Sequence, residues 1–190
     1  MKKSIQIRSL VTILFIFFIN SSCIKGVDFE QAESIILKPI TELSLIYTSL
    51  DAPDFLDEFG LEFPSITDSV ILEVLSDDFL NEYLVRADLV IEVTNSLNKD
   101  FEIQMEFYDN SNALQHTFPV LIENSVSNSP IIVEHIEVFT DSSLEALKAS
   151  NRLDFKLLLL SSPTGSVLTN SSLGAILFKS KVIFYFEITE

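Results

Sequence analysis

The residues of this chain that could carry catalysis or bind a metal are few and far apart. The two histidines, His116 and His135, do not stand with Cys or Glu in the spacing of a zinc site. Ser166, in Thr164-Gly165-Ser166-Val167, is not in the Gly-x-Ser-x-Gly elbow of a hydrolase. With Gly 4 in the whole chain, a phosphate-cradling loop is also missing. We therefore predict that the chain is not an enzyme and holds no cofactor and no metal.

Carboxylates are plentiful, with Asp+Glu 28 in 190 residues. A glycosidase pair depends on a separation in space, which the sequence leaves open. Two groups supply closely spaced oxygens for calcium, Asp109-Asn110-Ser111-Asn112 and Asp51 with Asp54 and Asp57, but neither matches a calcium-binding loop of twelve residues. We interpret both as turns whose side chains bond their own backbone. The acidic stretch 51–58 is either an ordered loop on the domain or a flexible lip.

The N-terminus has the pattern of an export signal. Lys2, Lys3 and Arg8 precede an apolar run from Leu10 to Ile19, and this order is typical of a secretory leader. Roughly ten apolar residues are too few to cross the ~30 Å hydrocarbon layer as a helix. A transmembrane anchor is therefore the weaker alternative.

Cys23 is the only cysteine of the chain, and the small residues Ser21 and Ser22 precede it. Asn20-Ser21-Ser22-Cys23 resembles the lipobox of bacterial lipoproteins, with Asn20 where Leu is usual, as in the looser lipoboxes of Bacteroidota. The resemblance implies that residues 1–22 are removed and that Cys23 carries fatty acyl chains such as palmitate, enough of them for stable anchoring. Ile24 in place of Asp implies sorting to the outer membrane, with the domain facing the periplasm or the cell surface. The alternatives are a free thiol and a buried small residue.

Composition predicts an acidic folded domain behind a short tether. Residues 23–34 are mostly polar and suit a tether, and residues 35–190 are predicted to form a single domain. The chain is 47% hydrophobic and has 16 Phe, which is enough for a sizeable core. Its net charge of -16 opposes binding to nucleic acid and electrostatic adhesion to anionic lipid.

Apolar residues recur with a period of two, which is typical of strands with one buried face. The clearest cases are residues 87–93 and 101–107, in which alternate residues are apolar. The polar segment 95–100 between them reads as a turn, so the two strands are predicted to pair as a hairpin.

Further elements complete an all-β prediction. Strands are expected at residues 43–47, 70–74, 114–122, 132–138, 153–160 and 175–188. Pro119 should place its strand at a sheet edge or in a bulge. Short helices should begin at Ser76-Asp77-Asp78-Phe79 and at Thr140-Asp141-Ser142-Ser143. The sequence thus predicts a two-sheet antiparallel β-sandwich, immunoglobulin-like or similar, with one or two short helices.

The segment Leu89-Val90-Ile91-Glu92-Val93-Thr94-Asn95-Ser96 resembles uncharacterised envelope lipoproteins of Bacteroidota. It is also similar to the sandwich domain of late-embryogenesis-abundant proteins of the water-stress type, and no functional residue is carried over from it. We predict a lipid-anchored envelope protein that binds another envelope protein or has a structural role. The alternative is a lipoprotein that captures a glycan or small molecule in a pocket lined by Tyr, Asp and Asn, and a hydrolase comes third.

Overall fold

The computed structural model describes residues 36–161 and 166–189, and most of these lie in β-strands. The strands are β1 (Ile36–Leu37), β2 (Ile40–Asp51), β3 (Ser65–Ile71), β4 (Leu84–Asn95), β5 (Asp100–Tyr108), β6 (Leu114–Ile122), β7 (Ile131–Phe139), β8 (Arg152–Leu160), β9 (Ala175–Phe186) and β10 (Ile188–Thr189). The helices are α1 (Asp78–Tyr83) and α2 (Asp141–Ala149), with 3₁₀ turns at Ala52–Phe55 and Glu73–Ser76.

Strands β2 to β9 form two antiparallel sheets of four strands each. The first sheet has the order β2-β9-β4-β7 and the second has the order β3-β8-β5-β6. Strand β2 pairs with β9, β3 with β8, β4 with β7 and β5 with β6, as in one long hairpin that closes at the β5–β6 turn. This order confirms the predicted sandwich, and it is the order of a jelly roll rather than of an immunoglobulin domain.

The alternation that predicted β4 and β5 is confirmed residue by residue. Ala87, Leu89, Ile91 and Val93 are buried in the first sheet, and every second residue from Phe101 is buried in the second. Pro119 lies in β6, which is an edge strand as predicted. Asp77 and Thr140 occupy the N-cap positions of α1 and α2, where the sequence placed both helix starts.

The predicted hairpin of β4 and β5 is wrong. The two strands lie in different sheets, so the segment between them crosses from one sheet to the other. Asn95 holds this crossing, because its Nδ2 donates to the carbonyl oxygens of Lys99 at 3.0 Å and Glu123 at 2.9 Å. Leu97 is fully buried beneath it. A strand with one apolar face can bury that face whether its neighbour in sequence pairs with it in the same sheet or crosses to the other sheet. Alternation alone therefore does not predict which strands pair.

Aromatic rings join the two sheets through the core. The ring centroids of Phe107 on β5 and Phe139 on β7 are 5.4 Å apart, and those of Phe155 on β8 and Phe178 on β9 are 5.6 Å apart. Such pairs add about 0.5–1.5 kcal/mol each beyond the area that they bury. Residues Ile36–Ile188 form one compact unit around this core.

Candidate partner-binding face

The outer face of the first sheet carries exposed apolar side chains along both of its edges. Its exposed large apolar residues are Ile40 (61%) and Tyr47 (76%) on β2, and Ile132 (62%), Ile136 (56%) and Val138 (42%) on β7. Among the described residues, the outer face of the second sheet has three of this kind, Ile71, Leu114 and Leu121. Groups of exposed apolar side chains are typical of interaction surfaces, so this face is the candidate for partner binding.

Between these apolar edges runs a strip of paired charges on β9 and its neighbours. Nζ of Lys179 lies 2.9 Å from Oε1 of Glu92 on β4, and Nζ of Lys181 lies 2.9 Å from Oε2 of Glu42 on β2. The hydrogen bond to Glu92 raises the pKa of Lys179 above its ordinary value. Exposed ion pairs of this kind add little to the stability of the domain. Each pair does neutralise a lysine, so a bound partner would not need to supply a carboxylate opposite it.

Asp88 organises one end of the same face. Its carboxylate accepts from Nε of Arg86 at 2.7 Å and from the hydroxyl of Tyr185 at 3.1 Å. The Arg86 guanidinium also lies 5.1 Å from the centroid of the Tyr185 ring. The hydrogen bond to Asp88 raises the pKa of both Arg86 and Tyr185. These contacts hold the Tyr185 ring in one position on the sheet.

An open groove of about 280 Å³ lies on this face beside a β-bulge. The bulge interrupts the β2–β9 register between Ser44 and Ile46. Of the described residues that line the groove, one is a tyrosine, Tyr47, and none is Asp or Asn. The groove therefore differs from the pocket expected for ligand capture, and small-molecule pockets are typically about 300–1,000 Å³ and more enclosed.

The structure brings His116 and His135 together at Glu137. Nε2 of His116 on β6 lies 2.7 Å from Oε1 of Glu137, and Nε2 of His135 lies 3.3 Å from Oε2 of the same carboxylate. The Phe118 ring stacks on His135 with centroids 5.1 Å apart. From the sequence, each histidine was considered separately. His135 and Glu137 are two residues apart in a predicted strand, so their side chains are expected to share one face of it. Within 36–161 and 166–189, no group of three or more His, Cys, Asp or Glu side chains has the geometry of a metal site.

The acidic stretch 51–58 is an ordered loop. Phe55 is fully buried in the 3₁₀ turn, and its ring lies 5.3 Å from that of Phe101. Just beyond the stretch, Glu62 accepts from the buried Nζ of Lys99 at 2.8 Å and from the backbone N–H of Leu168 at 2.6 Å. The loop is thereby attached to the crossing between the two sheets.

Carboxylates from both groups that were considered for calcium bond the backbone of their own turns, as the sequence predicted. Oδ1 of Asp57 accepts from the N–H groups of Phe59 and Leu61, at 2.8 and 2.9 Å. Oδ1 of Asp109 accepts from those of Ser111 and Ala113 at 2.7 and 2.9 Å. These oxygens therefore act as turn acceptors.

Three predictions fall on residues that the structure does not describe. The signal 1–22, the lipidation site Cys23 and the tether 23–34 all precede Ile36, the first described residue. In the part of the chain that is described, neither helix is long and apolar enough to span a membrane.

No protein-family model matches the chain, and no curated protein matches it. Among solved structures, it is similar to a protein from Parabacteroides distasonis that is assigned as secreted, with 19% identity over 63% of this chain and a TM-score of 0.47. It is also similar to the VP2 subviral particle of infectious bursal disease virus, with 10% identity over 80% of this chain and a TM-score of 0.40. The chain spans 37% and 38% of those two structures. The jelly-roll assignment rests on the strand pairing of this chain itself.

Proposed function

We propose that this chain is a non-enzymatic protein of the bacterial envelope, anchored to the outer membrane by lipid on Cys23. In this proposal, the domain binds another envelope protein through the outer face of the first sheet. The anchor is supported by the basic and apolar leader and by a single cysteine placed directly after two small residues.

The observation that carries protein binding is the arrangement of that face. Ile136 and Tyr47 stand exposed at its two edges, and the lysines between them are matched by carboxylates of the same sheet. Protein interfaces favour aromatic and aliphatic residues and few unpaired charges, because an unpaired charge loses its hydration when a partner covers it. The outer face of the first sheet has both properties: exposed apolar side chains, and lysines that are paired with carboxylates of the same sheet.

The absence of catalysis is supported by how the reactive groups are bonded. The hydroxyl of Ser166 donates to the carbonyl oxygen of Asn98 at 3.0 Å, so it has a backbone partner rather than a basic one. His116 is engaged by Glu137. A serine nucleophile needs an imidazole within hydrogen-bond reach to remove its proton.

The proposal is tested by cross-linking the anchored protein to its neighbours in intact membranes. Tyr47→Asp places a charge in the centre of the β2 edge of the face, and Leu121→Asp places the same charge on the outer face of the second sheet. Both residues are largely exposed, so both variants should fold. We expect Tyr47→Asp to lose a specific cross-linked species that Leu121→Asp retains. Equal yields from both variants would contradict binding through this face.

The alternative function, capture of a glycan or small molecule, would use the groove beside the bulge. Ser44→Phe would fill this groove from its wall. If the groove binds a ligand, this variant should abolish binding to a glycan array and leave the protein cross-link intact. Loss of the protein cross-link in Ser44→Phe, with glycan binding unchanged, would instead support the main proposal.

A further inference from the structure

Strand β7 is a continuous edge strand without a bulge, a proline or a basic Lys or Arg, and its core-facing carboxylate, Glu137, is bonded to His116 and His135. The four edge strands of the sandwich are β2, β7, β3 and β6. A bulge interrupts β2, Pro119 lies in β6, and β3 carries Asp68 on its core-facing side, opposite Phe155. Strand β7, described over its whole length, pairs with β4 without a register shift and contains no Pro, Lys or Arg. Bulges, prolines and edge charges are the means by which proteins prevent a strand from adding to a sheet.

The backbone groups of β7 that point away from β4 can be identified from the neighbouring strands. The N–H of Ser96 donates to the carbonyl oxygen of Ala175, so even-numbered residues of β4 bond β9. Odd-numbered residues of β4 therefore bond β7, because backbone groups alternate in direction along a strand. Their partners, from Leu89↔Glu137 to Val93↔Val133, are the odd-numbered residues of β7.

The even-numbered residues of β7 thus direct both their N–H and C=O groups outward. These residues are Ile132, Glu134, Ile136 and Val138, and all four side chains are exposed on the outer face. Three are aliphatic and Glu134 is the only charged one. The open backbone and the apolar side chains therefore belong to the same four residues.

We propose that the β7 edge binds an extended segment of the partner protein, which pairs as a fifth strand of the first sheet. The segment would have aliphatic residues at alternate positions and a Lys or Arg opposite Glu134. Main-chain hydrogen bonds would supply affinity and the alternate side chains specificity. This inference rests on the proposed function and names the chemistry of its partner.

Charge decides between this partner and a second copy of the chain. The full sequence has a net charge of -16, and removal of the leader, which contains Lys2, Lys3 and Arg8 but no acidic residue, makes each copy more negative. Strand β7 itself contains Glu134 and Glu137 and no Lys or Arg. Two copies paired edge to edge would bring these negative charges together, whereas a cationic segment would be attracted.

The test uses the full lipid-anchored chain in detergent micelles and a fluorescent nine-residue peptide in which valine and threonine alternate around a central lysine. A second peptide has glutamate in place of lysine. A third carries N-methyl groups on backbone nitrogens that point to each of its two sides, so that neither edge of the extended peptide can donate hydrogen bonds. We expect the lysine peptide to bind about three- to tenfold tighter than the glutamate peptide, which corresponds to one exposed charge contact. The N-methylated peptide should not bind, because it cannot form the ladder.

Two proline variants separate the edges of the first sheet. Glu134→Pro removes an outward N–H from β7 without removing a bond to β4, and Ser49→Pro does the same on the opposite edge, β2. We expect Glu134→Pro to weaken binding of the lysine peptide at least about tenfold and Ser49→Pro to leave it unchanged. Equal binding by both variants, with circular dichroism showing both folded, would overturn the inference. If Glu134→Pro does not fold, the N-methylated peptide still decides, because its binding to the unmodified chain would overturn strand addition.

A cysteine variant tests the second copy. Ile136→Cys introduces a thiol at the middle of the edge in a chain whose one native cysteine is proposed to be acylated. Rapid formation of a disulfide-linked dimer under mild oxidation would show that a second copy occupies the edge, and would overturn the proposed partner. Loss of peptide binding together with an intact cross-link that depends on Tyr47 would refute strand addition alone and leave the proposed function standing.

Discussion

Nε2 of His116 lies 2.7 Å from Oε1 of Glu137, and this contact joins β6 of the second sheet to β7 of the first. A carboxylate only accepts hydrogen bonds, so this imidazole nitrogen carries the proton. The rings of Phe107 and Phe139 both pack near His116, with centroids 6.1 and 5.0 Å from its ring. The contact therefore closes the sandwich along the side where β7 leaves its backbone open.

Glu137→Ala should destabilise the domain by about 1–2 kcal/mol, because it removes the acceptor of a partly buried, charged hydrogen bond. Urea unfolding followed by circular dichroism measures the change. Glu134→Ala, three residues away on the exposed side of the same strand, is the matched control and should change stability by less than about 0.5 kcal/mol. Equal effects would show that the contact does not hold the sheets together.

Ile91→Asp should unfold the domain, because Ile91 is fully buried between the sheets and a carboxylate there has no partner. Val90→Asp, on the outer face of the same strand, should cost far less. Thermal unfolding of the two variants provides the comparison. Large losses from both would mean that both faces of β4 are covered.

Asp88→Asn should lower the pKa of Tyr185, because the hydrogen bond to the Asp88 carboxylate raises that pKa from its ordinary 10.0. An alkaline titration of tyrosinate absorbance measures it, and the component absent from Tyr185→Phe identifies the signal. Because the pKa is raised in the folded state, this contact contributes stability below pH 10.0 that is lost as the pH rises through the folded value. An unchanged titration in Asp88→Asn, with Glu92→Gln as the control, would contradict the assigned cause.

Cys23→Ser should abolish incorporation of labelled fatty acid and leave an unprocessed or soluble form. The hydroxyl of serine cannot replace the thiol that the resemblance to a lipobox assigns to acylation. Labelling in growing cells, followed by fractionation of the membranes, measures both effects. A variant that still carries label and still sediments with the outer membrane would refute the anchor.

The protein made without its first 23 residues should not hydrolyse peptidoglycan, polysaccharide or ester substrates. Among the described residues, Ser166 bonds a backbone carbonyl and His116 and His135 both bond Glu137, so none of these three is arranged as a nucleophile with its base. Activity that disappears on changing one Asp or Glu, while the fold persists, would overturn this prediction. Activity that survives every such change would indicate a contaminant.

Local patterns in the sequence determined the elements of this fold. The alternation from Ala87 to Val93 predicted which face of β4 is buried, because neighbouring side chains on a strand point to opposite sides. Asp77 and Thr140 predicted where the helices begin, because their side chains can cap the first free N–H groups. Pro119 predicted an edge strand for a similarly local reason, since it lacks a donor.

Tertiary structure alone decided which strands became neighbours. The alternating strands β4 and β5 lie in different sheets instead of pairing. Either arrangement would bury their apolar faces, and the buried Asn95 and Leu97 stabilise the crossing between the sheets. The same long-range choice placed His116 beside Glu137 and left β7 at an edge. These contacts join residues distant in the chain, so no local pattern in the sequence contains them.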